Sequence, residues 1–449
     1  MKLFYRTLLF TLTAHIPIAQ SRSHTEHIRS NYTLISHPAY QRIMRQSRIQ
    51  TRQIIHKLQI NHSQTNLNQL FYTASQFFLN TPYKAAHPDG EGDWCSPTIK
   101  SAHCTHIQQD PIYRTDQFVC STYVAQLLAL IKANNILNYE KNLLSIKYGA
   151  AHEPPSTITY YNRNNFTSTD FNRANEDNGL FSNAMISKKI KPYTKKVTVT
   201  INHRGWFQQQ QSKTNVKQNV RTFTKTDGLR MQKRFNGFYP DQFHLFKPQT
   251  IDFRYIPKNS ILISTLKQGH LAYKINQQLL DLIPTPSVAE ITRDHLKWRF
   301  HNKPIAHTLH SGIAVSHLGL LYRFHYKDHD LIYPKIECND TSALPSCKVV
   351  RQYCQNKQGC TKLMFTHATE AYPKNYYFYQ NTGGHFFCTA QKPSHFKGKI
   401  TQCNRIVTMP LTDYLTMKFN GEYRYMNNPS ILGVHIEKIN VVSLWKRFT

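Results

Sequence analysis

Apolar residues recur at Val124, Leu127, Leu128 and Ile131, three and four positions apart, and predict a helix with one buried face. Thr115 or Asp116 is its expected N-cap, because a short polar side chain there accepts from first-turn N–H groups. A second helical pattern, Leu70, Phe71, Ala74, Phe77, Phe78 and Leu79, stops at Asn80-Thr81-Pro82, where proline disfavours the helical region for the residue before it. Upstream, Ile43, Ile49, Ile54, Ile55 and Leu58 stand at looser helical intervals in a polar, His- and Arg-rich stretch and predict one or two surface helices.

The pattern changes period in the second half. Val197-Thr-Val-Thr-Ile201 alternates as a strand does, and residues 260–264, 313–322, 362–368 and 431–436 also read as strands. By the period of two, Val315, His317, Gly319 and Leu321 share one face. The run from Leu271 to about Arg299 reads as helical with a break at Pro284 and Pro286, and a short helix begins near Thr408–Tyr414. Helices lead and strands follow, which is an α+β arrangement.

Composition narrows this only partly. The chain has 449 residues, 40% hydrophobic and 12% aromatic, enough for a large core and too apolar for a disordered chain. Its net charge of +31 comes as much from scarce Asp and Glu (25) as from abundant Lys and Arg (56). Such a surface attracts polyanions at long range, and nucleic acid, an anionic membrane face and an acidic wall polymer are all eligible. Residues 1–21 combine a basic start, a short apolar stretch and small residues at Ala19 and Ser21, which reads as a secretory signal peptide or as an ordinary apolar segment. That stretch is too short to span a bilayer, and no later one is a transmembrane candidate.

The nine cysteines fall into local groups, 95/104, 338/347/354/360 and 388/403, with Cys120 apart. An odd count in an exported chain leaves one thiol unpaired if the rest bridge, and short-loop disulfides in an oxidising compartment are expected. A zinc site at 338–360 is the weaker alternative, since the spacings lack the short paired pattern of structural zinc. Cys120 would sit at a helix start, where orphan N–H groups and the helix dipole favour a thiolate; the bland reading is a buried or bridged cysteine. His317 on a downstream strand could take the thiol proton as general base, and His367 on the next strand could hold its ring. The stretch Tyr161-Asn-Arg163-Asn-Asn165-Phe166 could line a cleft for a polar ligand or wrap the surface as a loop.

Several short motifs occur in a fixed order: Phe77-Phe-Leu-Asn-Thr-Pro-Tyr83, Asp116-x-Phe-Val-Cys120-Ser-Thr-Tyr-Val124, Tyr161-x-Arg163-x-Asn165-Phe166, Ser316-His317-Leu-Gly-Leu, Thr366-His367-Ala368-Thr369 and Pro410-Leu-x-x-Tyr414-Leu415. Over roughly residues 70–440 the series resembles the secreted DUF1460-type, N-acetylmuramoyl-L-alanine amidase-like cysteine hydrolases of the NlpC/P60 superfamily. The resemblance implies a papain-like fold in which a nucleophile helix packs on an antiparallel sheet. It also implies Cys120 as nucleophile, His317 as base, His367 as orienting residue and the Tyr83 hydroxyl at the oxyanion site. Tyr161, Arg163 and Asn165 would be substrate-side. The sequence departs from that pattern at Val119, where an Asp is usual, at Asn80, where a turn glycine is usual, and at Asn165, where His is common.

These readings give a signal peptide over 1–21, a helical extension over 22–69 and a hydrolase domain over 70–449 with insertions near 202–234 and 338–360. The expected activity is hydrolysis of an amide bond in peptidoglycan or muropeptides by a periplasmic or secreted bacterial enzyme, with no cofactor and no metal. The alternatives are a non-catalytic polyanion- or wall-binding protein, a stem-peptide endopeptidase and, disfavoured for want of a motif, a nucleic-acid binder.

Overall fold

The computed structural model describes residues 38–62, 66–83, 113–148, 164, 167–201, 249–255, 261–267, 270–275, 277–293, 299–300, 303–304, 315–339, 346–368, 377–380, 386–389, 401–402, 405–420 and 431–440. The predicted signal peptide over 1–21, Cys95, Cys104 and the predicted insertion near 202–234 lie outside these residues.

Four helices open the fold: α1 (Pro38–His62), α2 (Leu67–Gln76), α3 (Cys120–Ile131) and α4 (Ile136–Tyr148), followed by the short α5 (Asn172–Asp177). Six strands then build one sheet: β1 (Phe181–Asn183), β2 (Ser287–Arg293), β3 (Val315–Tyr326), β4 (Cys360–Ala368), β5 (Ile406–Pro410) and β6 (Ile431–Ile439). Their order is β1-β6-β2-β3-β4-β5, and every neighbouring pair is antiparallel. The α+β expectation therefore holds, with a six-stranded sheet as the frame.

The sheet is covered on both faces. Val288, Leu320, Tyr322, Met364 and Ala368 join the helices in one core. On the other face Ala289, Ile291, Leu321, Phe365 and Ile436 pack beneath α6 (Gln277–Leu282) and α7 (Leu411–Asn420). α3 lies between the sheet and the other helices, and its residues from Thr122 to Ile131 are all buried. One buried face was expected; the helix is enclosed all round because α1, α2 and α4 cover its outer side. Its buried amide, Gln126, accepts a bond from the Tyr139 hydroxyl at 3.1 Å. Each fully buried leucine, such as Leu127 or Leu128, contributes about 1.5–3 kcal/mol.

Three local expectations are corrected. α1 is no surface appendage, because Ile54, Ile55 and Leu58 belong to the main core. The run from Leu271 to Arg299 holds only the six-residue α6 between strand 270–275 and β2, since Val288 and Ile291 face opposite cores and alternation overrides helical spacing. In β3, Val315 pairs with Thr292 and His317 with Ile291, so Ser316 is an extra residue in the ladder. That bulge sends Val315 to the helical core and His317 to the opposite face, where simple alternation had put them together.

The predicted insertion after β3 is a hairpin of strands Leu331–Asn339 and Ser346–Tyr353 within a separate five-stranded sheet. It ends in a disulfide between Cys354 and Cys360, six residues apart, which pins the entry to β4.

Candidate active site

The nucleophile candidate opens α3. Cys120 is the first helical residue, half-buried against the helical core, and forms no disulfide. The N-cap is Val119, not Thr115 or Asp116; Asp116 instead receives the Arg114 guanidinium at 2.8 Å. Valine cannot cap, and Thr122 supplies the polar contacts: its hydroxyl accepts from the Val119 N–H at 3.0 Å and donates to the Val119 carbonyl at 3.1 Å. The helix start therefore carries no carboxylate of its own at the capping position, and the orphan N–H groups of the first turn keep their affinity for negative charge.

Residues 80–83 are fixed beside this turn by backbone bonds. Phe118 N–H donates to the Pro82 carbonyl at 3.0 Å, and Tyr83 bridges to Phe118, two residues before Cys120. Asn80 N–H donates to the Ile406 carbonyl at 3.1 Å, while Ile406 N–H returns a bond to Thr81 at 2.8 Å. Asn80 has φ of +66°, so the left-handed turn that suits glycine is made by Asn, the side chain that tolerates it best. Ile406 in turn pairs with Ala368, next to His367. Main-chain bonds thus run from the Cys120 turn through Tyr83 to the strand end that bears His367.

The two histidines do meet. His317 Nε2 and His367 Nδ1 are 2.8 Å apart, and their rings stand edge to face at 4.9 Å between centroids. Both rings are set in aromatic surroundings. His317 lies nearly parallel to Tyr414 at 5.9 Å, and His367 lies nearly parallel to Phe365 at 4.5 Å and edge-on to Tyr414 at 4.8 Å. His367 is 1% exposed, whereas His317 is half-buried, so the outer member of the pair is the one open to a reacting group.

Alternation on β4 links the two faces. Phe365 and His367 point toward α7, while Thr366 between them points toward α3 and bonds the Tyr123 hydroxyl at 2.7 Å. Thr408 on β5 donates to the same Thr366 hydroxyl at 2.9 Å. Burial pushes the Tyr123 phenol up, against the pull of its Thr366 bond, so it stays neutral. The first turn of α3 is thereby bolted to the residue adjoining His367. Tyr161, Arg163 and Asn165 lie outside the described residues; Asn164 between them donates from its N–H to the Lys147 carbonyl at 2.7 Å and from its side chain to Ile146 at 3.1 Å.

Sequence reading gave no role to the ring partners Phe365 and Tyr414 or to the hydroxyls of Tyr123, Thr366 and Thr408, three of which it quoted only as motif members. The signal for one was present, since Phe365 stands two residues before His367 on the same strand face. It also missed a buried acidic group behind β3. There Glu290 on β2 pairs across to His435 on β6, whose Nε2 meets Glu437 Oε1 at 2.7 Å. Among the described residues no group of three or more His, Cys, Asp or Glu is placed to hold a metal ion, and no helix is long and apolar enough to cross a membrane.

A family model described as N-acetylmuramoyl-L-alanine amidase-like (AmiA-like) matches residues 73–334. The fold is similar to the crystal structure of a Legionella pneumophila protein of the DUF1460 family, with a TM-score of 0.52 and 21% identity over 89% of this chain and 96% of that one. The crystal structure of an N-acetylmuramoyl-L-alanine amidase from Bacteroides uniformis is more distant, with a TM-score of 0.39 and 13% identity over 83% of this chain and 98% of that one. No curated protein matches.

Proposed function

Because this chain belongs to the N-acetylmuramoyl-L-alanine amidase-like family, we propose that it is a secreted cysteine hydrolase that cuts an amide bond in peptidoglycan or its muropeptide fragments. The observation that carries the reading is the 2.8 Å bond between His317 and His367, at the sheet end to which the Cys120 turn is bolted. In this reading the arrangement of α3 on the antiparallel sheet is the papain-like one of the NlpC/P60 superfamily, and residues 1–21 direct export.

The chemistry follows from where protons sit. With His317 Nε2–H donating to His367 Nδ1, the other nitrogen of His317 carries a lone pair and accepts the Cys120 thiol proton. The same bond survives once His317 is an imidazolium, so His367 orients the base in both states. A buried neutral imidazole does this without the desolvation cost of a carboxylate. The Cys120 thiolate attacks the scissile carbonyl; its C–N bond breaks as His317 returns the proton to the leaving amine, and water then resolves the acyl-enzyme. The Cys120 N–H and the Tyr83 hydroxyl stabilise the oxyanion. The mechanism requires the Cys120 thiol and His317 to come within hydrogen-bond reach in the substrate complex. Tyr161, Arg163 and Asn165 form the substrate side, and the basic surface draws an anionic, carboxylate-bearing substrate.

The test is incubation of wild type and Cys120→Ala with muropeptides, read by mass spectrometry. Wild type is expected to turn over and the variant to lose at least a thousandfold in rate, on the order of other nucleophile deletions. Product masses distinguish the N-acetylmuramoyl-L-alanine bond from one within the stem peptide. Equal inactivity of both proteins would sink the enzyme reading in favour of wall binding, and loss of activity to a chelator would count against a thiol mechanism.

A further inference from the structure

The catalytic roles proposed above leave Tyr414 without one, although it touches both imidazoles. It stands on α7, the helix that closes the sheet face opposite α3, and its side chain is 1% exposed. Its ring is 23° from parallel to His317, with centroids 5.9 Å apart, and meets His367 edge-on at 4.8 Å and Phe365 at 4.7 Å. The four rings form a closed set: His367 is held between Phe365 and Tyr414, and His317 is held between His367 and Tyr414. A histidine on a strand has one free rotation that matters here, the turn of its ring about χ2, which is broad and weakly restrained by itself. The hydrogen bond to His367 fixes one nitrogen, and a ring lying flat beside the imidazole fixes the plane.

We propose that Tyr414 is a positioning residue of the hydrolase: its ring face sets the plane of His317 and favours the imidazolium that forms when Cys120 gives up its proton. The inference rests on the reading of Cys120 and His317 as nucleophile and base. An aromatic face carries partial negative charge, so it attracts a cation stacked on it and does little for the neutral ring. The rings that meet His317 are those of His367 and Phe365 from β4 and Tyr414 from α7. Of these three rings, Tyr414 is the one that lies nearly parallel to His317. The hydroxyl of Tyr414 has no part in this argument, which separates the ring from the phenol experimentally.

The experiment follows the pH profile of Cys120 alkylation by iodoacetamide in full-length wild type, Tyr414→Phe and Tyr414→Leu, together with a protein carrying pentafluorophenylalanine at position 414. Wild type is expected to show reactive thiolate well below the ordinary thiol range and an inflection where His317 loses its proton. Phenylalanine should preserve the profile. Leucine and the fluorinated ring should move the imidazolium inflection to lower pH by about one unit, equivalent to roughly a tenfold loss of the ion pair. In muropeptide turnover the same two variants should lower kcat with KM little changed. The fluorinated ring has nearly the size of the native one, so it reads the electrostatic role even if the leucine variant fails to fold. A wild-type thiol with an ordinary single titration overturns the nucleophile reading itself. A low-pH thiolate in wild type that persists unchanged with the fluorinated ring overturns only the role of Tyr414.

Discussion

Glu290 provides a test of the frame that carries His317. It lies on β2, one residue from Ile291, the cross-strand partner of His317, and it is fully buried. Burial pushes its carboxyl up to about 7; Glu437 and Glu176 add to the rise, and His435 and Asn172 oppose it. Neither Glu290 carboxyl oxygen has a hydrogen-bond partner of normal geometry, so no such bond offsets the cost of burying the charged form. Glu176, at the edge of the same group, is likewise raised to about 7, by burial first and Glu437 next. Both folded values exceed the unfolded value of 4.5, so the folded state binds more protons between them. The stability these groups contribute is present in full below about pH 4.5 and is lost as pH climbs through 7. For Glu290 the difference corresponds to on the order of 3 kcal/mol. Glu290→Gln keeps the shape and removes the titration. The variant should therefore gain on wild type by up to about 3 kcal/mol between pH 5 and pH 8, read by urea unfolding at both pH values. A wild-type-to-variant difference that is the same at the two pH values would refute the reasoning.

Two further substitutions probe the geometry around the histidines. A Cβ on Gly319 would fall 2.5 Å from Phe365 Cε2 and 2.6 Å from the Thr366 carbonyl, so Gly319→Ala should cost about 1–3 kcal/mol and displace the ring that supports His367. Thermal unfolding and turnover check this together, and an unchanged Tm would contradict it. Asn80, at φ of +66°, should accept glycine with little change, whereas Asn80→Ala should lose about 1 kcal/mol in urea unfolding while both backbone bonds to Ile406 persist.

How much of this was legible in the sequence varied with the range of the interaction. Cys120–Ile131 was visible as a helix because its apolar spacing is local, but its full enclosure was not, because the covering helices lie far away in sequence. The pairing of His317 with His367 was expected from the order of Cys120 and two strand-borne histidines and from the family resemblance, and adjacency of β3 and β4 made it possible. The bulge at Ser316 was hidden, since an extra residue in a ladder leaves no mark on one strand alone and shows only against its partner. The error at 271–299 had a related cause. Strand β2 is buried on both faces, and its apolar Val288, Ala289 and Ile291 stand at spacings that a helix also allows, so period alone did not reveal the strand. The polar members Glu290, His435 and Glu437 were legible as charges inside apolar strands but carried no hint of meeting each other.

The position of the bulge has a consequence for how such a site is assembled. α3 packs on one face of the sheet, and the rings around His317 and His367 belong to the other. A group on a helix against one face and a group pointing from the opposite face can be joined only at a strand end, where no further strand residues stand between them. β3 begins and β4 ends at that place, and Ser316 lets β3 send Val315 into the helical core while His317 turns the other way. The Tyr123–Thr366 bond, on the helical face at the residue adjoining His367, then fixes the height of α3 against β4. Precision at the rim is thus drawn from both cores at once: the Cys120 turn is set by α3 and the 80–83 bridge, the histidines by Phe365 and Tyr414. Loosening either layer should misplace one half of the site while leaving the other half in order, which is why substitutions on α7, remote from Cys120 in sequence and on the far face of the sheet, are the sharpest probes of the chemistry proposed for Cys120.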